Sequence, residues 1–319
     1  MRIVVYGDQR RLGAIQDHRI LDLGKAADSD PACRGVFASL LTLIESGERG
    51  LDMVGELLER FEGSDRPDLH VELENAHLHA PFPGRRLAFA GSNNPDHVAA
   101  ALVNHGQDVT AAEIRERTRR GPAGGFWVVS PPVGPGSEVT VPRGSDGYFD
   151  YEGEVAIVLA RGGKRIAAED WRDHVWGTTL VIDWSVRGRT LAESKRPFYA
   201  HKIFDGSTSL GPWISVGEVD PLDCSVETRV NGDLRQKFNS GDMIHTYGEL
   251  LEQMSEDLTL LPGDLLGGGT GAGTAVDSTR PAADGTLPLD RFLKPGDRVE
   301  VSAARLGTLM ARVVGDQLS

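Results

Sequence analysis

Cysteine is almost missing from this chain. Its 319 residues hold two, Cys33 and Cys224, too few and too far apart for a disulfide framework or a Cys-x-x-Cys metal site. A reducing compartment is the plain reading. Basic charge is also scarce: 34 Lys and Arg stand against 47 Asp and Glu, a net of −13. With no basic stripe, this argues against a nucleic-acid surface. Long apolar runs are absent, so nothing approaches a membrane span. The opening Met1-Arg2-Ile3-Val4-Val5-Tyr6 is too short for a secretory leader and reads as a first strand. The expectation is a cytoplasmic protein with neither membrane nor nucleic acid as partner. An anionic small molecule stays open, because a metal ion and a few cations reverse the field locally.

What is present is an ordinary globular composition, 39% hydrophobic and 25% charged. The length suggests two domains, a small one over residues 1–80 and a larger one over 81–319. In the first, Ile3 to Tyr6 and Arg19 to Leu23 read as strands, Val36 to Ile44 and Leu51 to Phe61 as helices, and Val71 to Leu78 as a short strand. Nothing there gathers chemical groups. In the second, many short strands, few helices and several Gly/Pro turns point to a β-rich α+β fold, not a doubly wound sheet. Asn231-Gly232 marks a hairpin. The run Gly267 to Gly273 lacks the Gly-Lys-Ser/Thr and the dinucleotide spacing, so it is no nucleotide loop, though its N–H groups can line an oxygen-rich pocket.

Chemistry concentrates in Phe149-Asp150-Tyr151-Glu152-Gly153-Glu154-Val155-Ala156-Ile157-Val158-Leu159. In a strand, Glu152 and Glu154 share a face, roughly 6.6 Å apart. Two carboxylates at the mouth of a buried strand repel unless a cation lies between them, which is half a divalent metal site. Asp183, ending the buried-type run Thr178 to Ile182, would add a third hard oxygen ligand, although an acid there also caps turns. Arg187, Arg189, Lys195, Arg196 and Lys202 make Ser185 to Asp205 the most basic stretch. It is a solvated loop or an anion pocket beside the metal. His97 opens a helix capped by Asn94 or Asp96, and taken alone is more often structural than catalytic. The polar helix within 108–120 is either a solvated face or a lid. If the three acids prove to be spent on arginines and lysines, the metal reading fails.

These residues, taken together, resemble the fumarylacetoacetate hydrolase family from about Leu87 to Val314. The matching pieces are Asp150 to Glu154; Ile182-Asp183-Trp184-Ser185 with Arg187; Lys202 and Asp205 before Gly211-Pro212-Trp213; Val230-Asn231-Gly232 with Gln236; Leu261-Pro262-Gly263-Asp264; and Leu293 to Asp297. Each is weak alone, and their common order and spacing is strong. The resemblance implies a mixed β-roll catalytic domain, a homodimer, and Mg²⁺, Mn²⁺ or Ca²⁺ on Glu152, Glu154 and Asp183. All-oxygen ligation suits such hard cations. It further implies His97 as general base and Lys202 as active-site lysine, with Arg187, Asp205 and Thr270 facing a small anionic keto-acid substrate. The expected reaction is C–C hydrolysis of a β-diketo acid: the cation polarises a carbonyl, water activated by His97 attacks, and Lys202 with N–H groups near Thr270 steadies the oxyanion.

The sequence departs from the family around the substrate. Ala100 stands where many members carry a glutamate three residues after the histidine. Arg187-Gly188-Arg189-Thr190 replaces Arg-Asp-x-Gln, Gly268-Gly269-Thr270-Gly271 replaces Thr-Gly-Thr-Pro, Val128 replaces a lysine, and the segment from Val103 to Gly125 is longer. These changes keep a decarboxylase, isomerase or hydratase of a related keto-enol acid open beside the hydrolase, and leave a non-catalytic keto-acid binder as the third reading. Glu113 or His105 is the alternative base.

Overall fold

The fold is that of a computed structural model, which describes residues 1–28, 33, 35–64, 66–104, 106–190 and 201–316. Three antiparallel strands open the chain, β1 (Arg2–Tyr6), β2 (Arg11–Gln16) and β3 (Arg19–Asp22). Helices α1 (Leu23–Ala26), α2 (Leu40–Glu45) and α3 (Gly47–Arg60) follow. Their apolar residues recur at helical spacing and are buried at Leu43, Ile44, Val54 and Leu57. The expected strand from Val71 to Leu78 is instead two pieces, β4 (His70–Glu72) and β5 (Leu78–His79). A single turn at Leu73–Asn75 interrupts it and sends the halves to different partners, β3 and β1.

Next come β6 (Leu87–Gly91), the helical pair α4 (Pro95–Asn104) and α5 (Ala111–Arg119), and β7 (Gly124–Val128). The remaining strands are β8 (Glu138–Thr140), β9 (Phe149–Asp150), β10 (Gly153–Leu159), β11 (Val175–Asp183), β12 (Ser185–Val186), β13 (Thr208–Ser215), β14 (Ser225–Val230), β15 (Asp233–Asn239), β16 (Leu265–Gly267), β17 (Arg298–Ala303) and β18 (Gly307–Val314). Helix α6 (Tyr247–Ser255) lies between β15 and β16.

The strand-rich α+β expectation holds. An eleven-stranded mixed sheet runs β4-β3-β2-β1-β13-β11-β10-β16-β6-β7, with β5 beside β1; a five-stranded sheet runs β15-β14-β17-β18-β8; β9 and β12 pair separately. One apolar cluster contains Ile3, Leu43 and Val54 from the first eighty residues together with Phe89, Ala156, Val181 and Ile214. A second lies between the two sheets around Phe149, Tyr151, Ile182, Trp184 and Val301. Its strands alternate buried and outward positions in β14 and β17, the period of a sheet with one covered face. Asn231 and Gly232 both take positive φ in the turn between β14 and β15, as that hairpin type requires. Among the described residues no helix is long and apolar enough to cross a membrane.

Candidate active site

The central strands place the acids. In β10 and β11 Gly153 lies opposite Ile182 and Glu154 opposite Val181, and the N–H of Asp183 donates to the carbonyl of Glu152 at 2.9 Å. Residues opposite one another on antiparallel strands share a face. Glu152, Glu154 and Asp183 therefore converge, each offering an oxygen within 4.8 Å of the others, and all three are buried. One detail differs from expectation. The strand is not continuous from Phe149: Tyr151 and Glu152 lie in a break, where the N–H of Tyr151 donates to its neighbour's Asp150 Oδ1 at 2.8 Å. Glu152 reaches the cluster from the end of the break, Glu154 from within β10.

Two cations share this cluster. Lys202 Nζ donates to Glu152 Oε2 and to Asp183 Oδ2, each at 2.5 Å. Arg187 donates from Nε to Asp150 Oδ2 at 2.9 Å and from Nη2 to Glu152 Oε1. Burial pushes Glu152 up, but Lys202 and Arg187 more than offset it and hold its carboxyl well below the usual range. Asp183 is pushed up to about 7, chiefly by burial, with the charge of Glu152 adding to it and Lys202 opposing. Glu154 is raised well above its ordinary value, first by burial and then by the charges of Asp183 and Glu152.

These pairings decide whether the acids are spent. Both oxygens of Glu152 are bonded to cations. Asp183 Oδ1 is buried and has no hydrogen-bond partner. Glu154 Oε2 accepts only a neutral N–H, from Gly269 at 3.0 Å. A carboxylate keeps further lone pairs after one hydrogen bond, so the cluster retains buried, unsatisfied oxygen. An orphaned oxygen, three mutually repelling acids and an all-oxygen set fit a hard divalent cation such as Mg²⁺, Mn²⁺ or Ca²⁺.

The acids open into a cavity of about 310 Å³, lined also by Ser92, Asn93, His97, Phe126, Arg187, Lys202 and Thr270. His97 stands in the first turn of α4, where Asn94 Oδ1 accepts the N–H groups of Asp96 and His97 at 3.0 and 3.2 Å. Its Nδ1 is 2.8 Å from Oδ2 of Asp277. Asp277 is buried, and the N–H of Gly273 donates to both its oxygens at 3.0 and 3.1 Å. A carboxylate oxygen accepts from an N–H, and the tautomer that satisfies this contact has the proton on Nδ1 and the lone pair on Nε2. Asn93 bonds His245 N–H and C=O and the carbonyl of Gly268, tying the start of α4 to the glycine run. Ser92 beside it takes a positive φ of 54°, a strained conformation of the kind that gathers at functional sites.

Other expected residues fare unevenly. Thr270 lines the cavity, but its hydroxyl is engaged, donating to Gly153 C=O at 2.9 Å and accepting from Gln236 Nε2 at 2.8 Å. Asp205 is exposed and is not among the residues lining the cavity; the turn from Phe204 to Ser207 carries it outward. Arg187 lines the cavity with its fork already divided between Asp150 and Glu152. The carboxylate of Glu113 closes a capping box on Thr110, accepting its N–H at 2.8 Å, and is exposed. Lys195, Arg196 and His105 lie outside the described residues. Two important residues carried no sequence signal toward the site, Asp277 and Asn93.

The model of the fumarylacetoacetate (FAA) hydrolase C-terminal domain matches residues 90–314. The chain belongs to the fumarylacetoacetate hydrolase family. Within that family it is 30% identical over 309 residues to oxaloacetate tautomerase YisK of Bacillus subtilis strain 168, covering 94% of each chain. It is similar to the solved maleylpyruvate hydrolase of Sphingobium sp. SYK-6 in complex with manganese(II) and pyruvate, at 25% identity and a TM-score of 0.72, covering 99% of this chain and 100% of that one. It is also similar to the fumarylacetoacetate hydrolase of Exiguobacterium antarcticum, at 26% identity and a TM-score of 0.70, covering 99% and 100%. Members of the family thus include both hydrolases and a tautomerase, and the chain is of this enzyme superfamily.

Proposed function

We propose that the protein is a divalent-metal-dependent enzyme that moves a proton at the carbon beside the keto group of a small 2-oxo acid, an oxaloacetate-type keto–enol tautomerase. The observation that carries this reading is that a carboxylate-braced imidazole and a buried triple-carboxylate cluster open into one cavity. Glu152, Glu154 and Asp183 would hold the cation, which when bound supplies Lewis-acid polarisation of the keto group. Nε2 of His97 takes the proton from carbon, and Asp277 steadies the imidazolium that results. The same nitrogen returns a proton to the substrate, so one base serves both directions and no water is consumed. Lys202 places a positive charge where negative charge develops on oxygen. Phe126 sits with its ring 5.7 Å from Lys202 Nζ and forms an apolar wall that limits water. The full-length similarity to a tautomerase supports this choice.

C–C hydrolysis of a β-diketo acid is the second reading. An imidazole held as His97 is can activate water as readily as carbon acid, and the likeness to a maleylpyruvate hydrolase favours it. Both are tested together. Enol oxaloacetate and acylpyruvates are followed by absorbance and product analysis, with Mg²⁺ or Mn²⁺ and after EDTA. Interconversion of enol and keto forms above the spontaneous rate, abolished by EDTA, is expected. Two acids from an acylpyruvate favour hydrolysis, loss of CO₂ a decarboxylase, and turnover that ignores EDTA sinks the metal-dependent reading. The homodimer implied by the family belongs to the same proposal and is read from the mass in solution.

A further inference from the structure

Asp150 ends β9 with no exposed surface. A buried carboxylate is costly unless its oxygens are saturated, and here four donors converge on it. Oδ1 accepts the N–H of Tyr151 at 2.8 Å and of Ala275 at 2.7 Å. Oδ2 accepts Arg187 Nε at 2.9 Å and the N–H of Val276 at 3.2 Å. The donors come from three separate segments. Pairing of β9 with β12 is made by backbone and asks for no acid at this place.

Two of those segments lead to the two chemical halves of the site. Arg187 is a rigid planar fork. With Nε fixed on Asp150, its Nη2 is aimed at Glu152, the acid that also bears Lys202. Ala275 and Val276 immediately precede Asp277, whose Oδ2 fixes Nδ1 of His97. Only a carboxylate accepts from two loop amides and a guanidinium at once. Asparagine would turn an N–H₂ toward the two donors on one side and lose both bonds on that side.

We propose that Asp150 is a positioning residue that locks the cation-binding half of the site to its acid–base half, setting Glu152 through Arg187 and His97 through the loop that carries Asp277. This rests on the reading of the site given above. Neither half is then placed independently: a shift at the end of β9 reaches both.

The test compares Asp150→Asn, Arg187→Lys and Asp277→Asn in the full chain, by calorimetric Mn²⁺ affinity and by ¹⁵N and ¹H NMR of the His97 ring. Asp150→Asn should weaken Mn²⁺ binding about tenfold or more, the cost typical of removing an outer partner of a metal ligand. It should also abolish the slowly exchanging Nδ1 proton of His97. Arg187→Lys should change the affinity only, and Asp277→Asn the ring signal only. A merely structural Asp150 would lower the melting temperature and leave the ring signal in place. Asp150→Asn altering one readout and not the other overturns the proposal. If that variant does not fold, amide exchange of the wild type decides: Ala275 and Val276 should exchange only on global unfolding, and rapid exchange overturns the proposal. Wild-type protein that binds no Mn²⁺ overturns the cation reading and this proposal with it. Mn²⁺ binding without turnover of any keto acid sinks only the proposed reaction.

Discussion

A histidine with one ring nitrogen held by a buried carboxylate is a different reagent from a lone one. Asp277 fixes the orientation of the His97 ring through Nδ1, so Asp277→Asn should lower turnover by about 100-fold or more while Mn²⁺ affinity stays within error. A variant as active as wild type would remove Asp277 from the chemistry and move the base elsewhere. Glu154→Ala should abolish metal binding in calorimetry, a larger loss than the roughly 10–100-fold of an outer partner, because two acids leave the cation under-coordinated. Unchanged affinity would refute the ligand set. The acids, Lys202 and His97 were legible because each sits in a short segment with a characteristic neighbourhood. Asp277 was not, since it lies 180 residues from His97 and the contact exists only in three dimensions. Arg187 shows the converse. Its charge was legible, but its partners were not, and a guanidinium read as facing substrate is found divided between two acids.

At the scale of elements, alternation and turn residues located many of the strands, because period-two patterning and Asn-Gly turns are local properties, but they gave no strand at β2, β12 or β16. The break at Tyr151 and Glu152 was invisible, since it arises from β9 and β10 choosing different partners, β12 and β11. The helical pair that begins beside the site shows the same division. Its polar, charged second member was plain. Its fastening was not: Arg115 and Arg119 donate to the backbone carbonyls of Asp242, Met243 and Ile244, and Ile114 is buried in a cluster with Ile244 and Ala99. The polar helix is therefore docked along one face. Glycines of the run beginning at Gly267 read as a loop, whereas Gly267 belongs to β16 and is small because of what lies over it. A methyl there would run into the ring of Phe89 and come within 2.8 Å of Glu154 Oε2. Gly267→Ala should cost about 1–3 kcal/mol of stability by overpacking and weaken metal binding by displacing Glu154. A denaturation midpoint and Mn²⁺ affinity both equal to wild type would show that the sheet yields without cost.

For the whole molecule, the buried acids couple stability to pH. Asp183, whose ordinary value is 3.8, is raised to about 7 in the metal-free fold, and Glu154 is raised as well. A raised acid favours the folded state most below its unfolded value and loses that contribution as pH climbs through the folded one. The metal-free protein should therefore lose the stability contributed by Asp183 between about pH 4 and pH 7, with Glu154 acting in the same direction. A divalent cation replaces the protons, so its stabilising shift in melting temperature should be larger near about pH 8 than near about pH 5. A shift independent of pH would mean that these acids are already ionised without metal. The first eighty residues contribute to the same apolar cluster as β10, β11 and β13, and Arg2 and Ile3 of β1 pair with Ser215 and Ile214 of β13. Anyone trimming the chain to the span that the family model matches, 90–314, would strip β13 of a neighbour and bare Leu210 and Ile214, side chains worth about 1.5–3 kcal/mol each when covered. Only β13 would then separate Asp183 from a raw, adhesive margin, and such a fragment should be recovered as aggregate rather than as a smaller working enzyme.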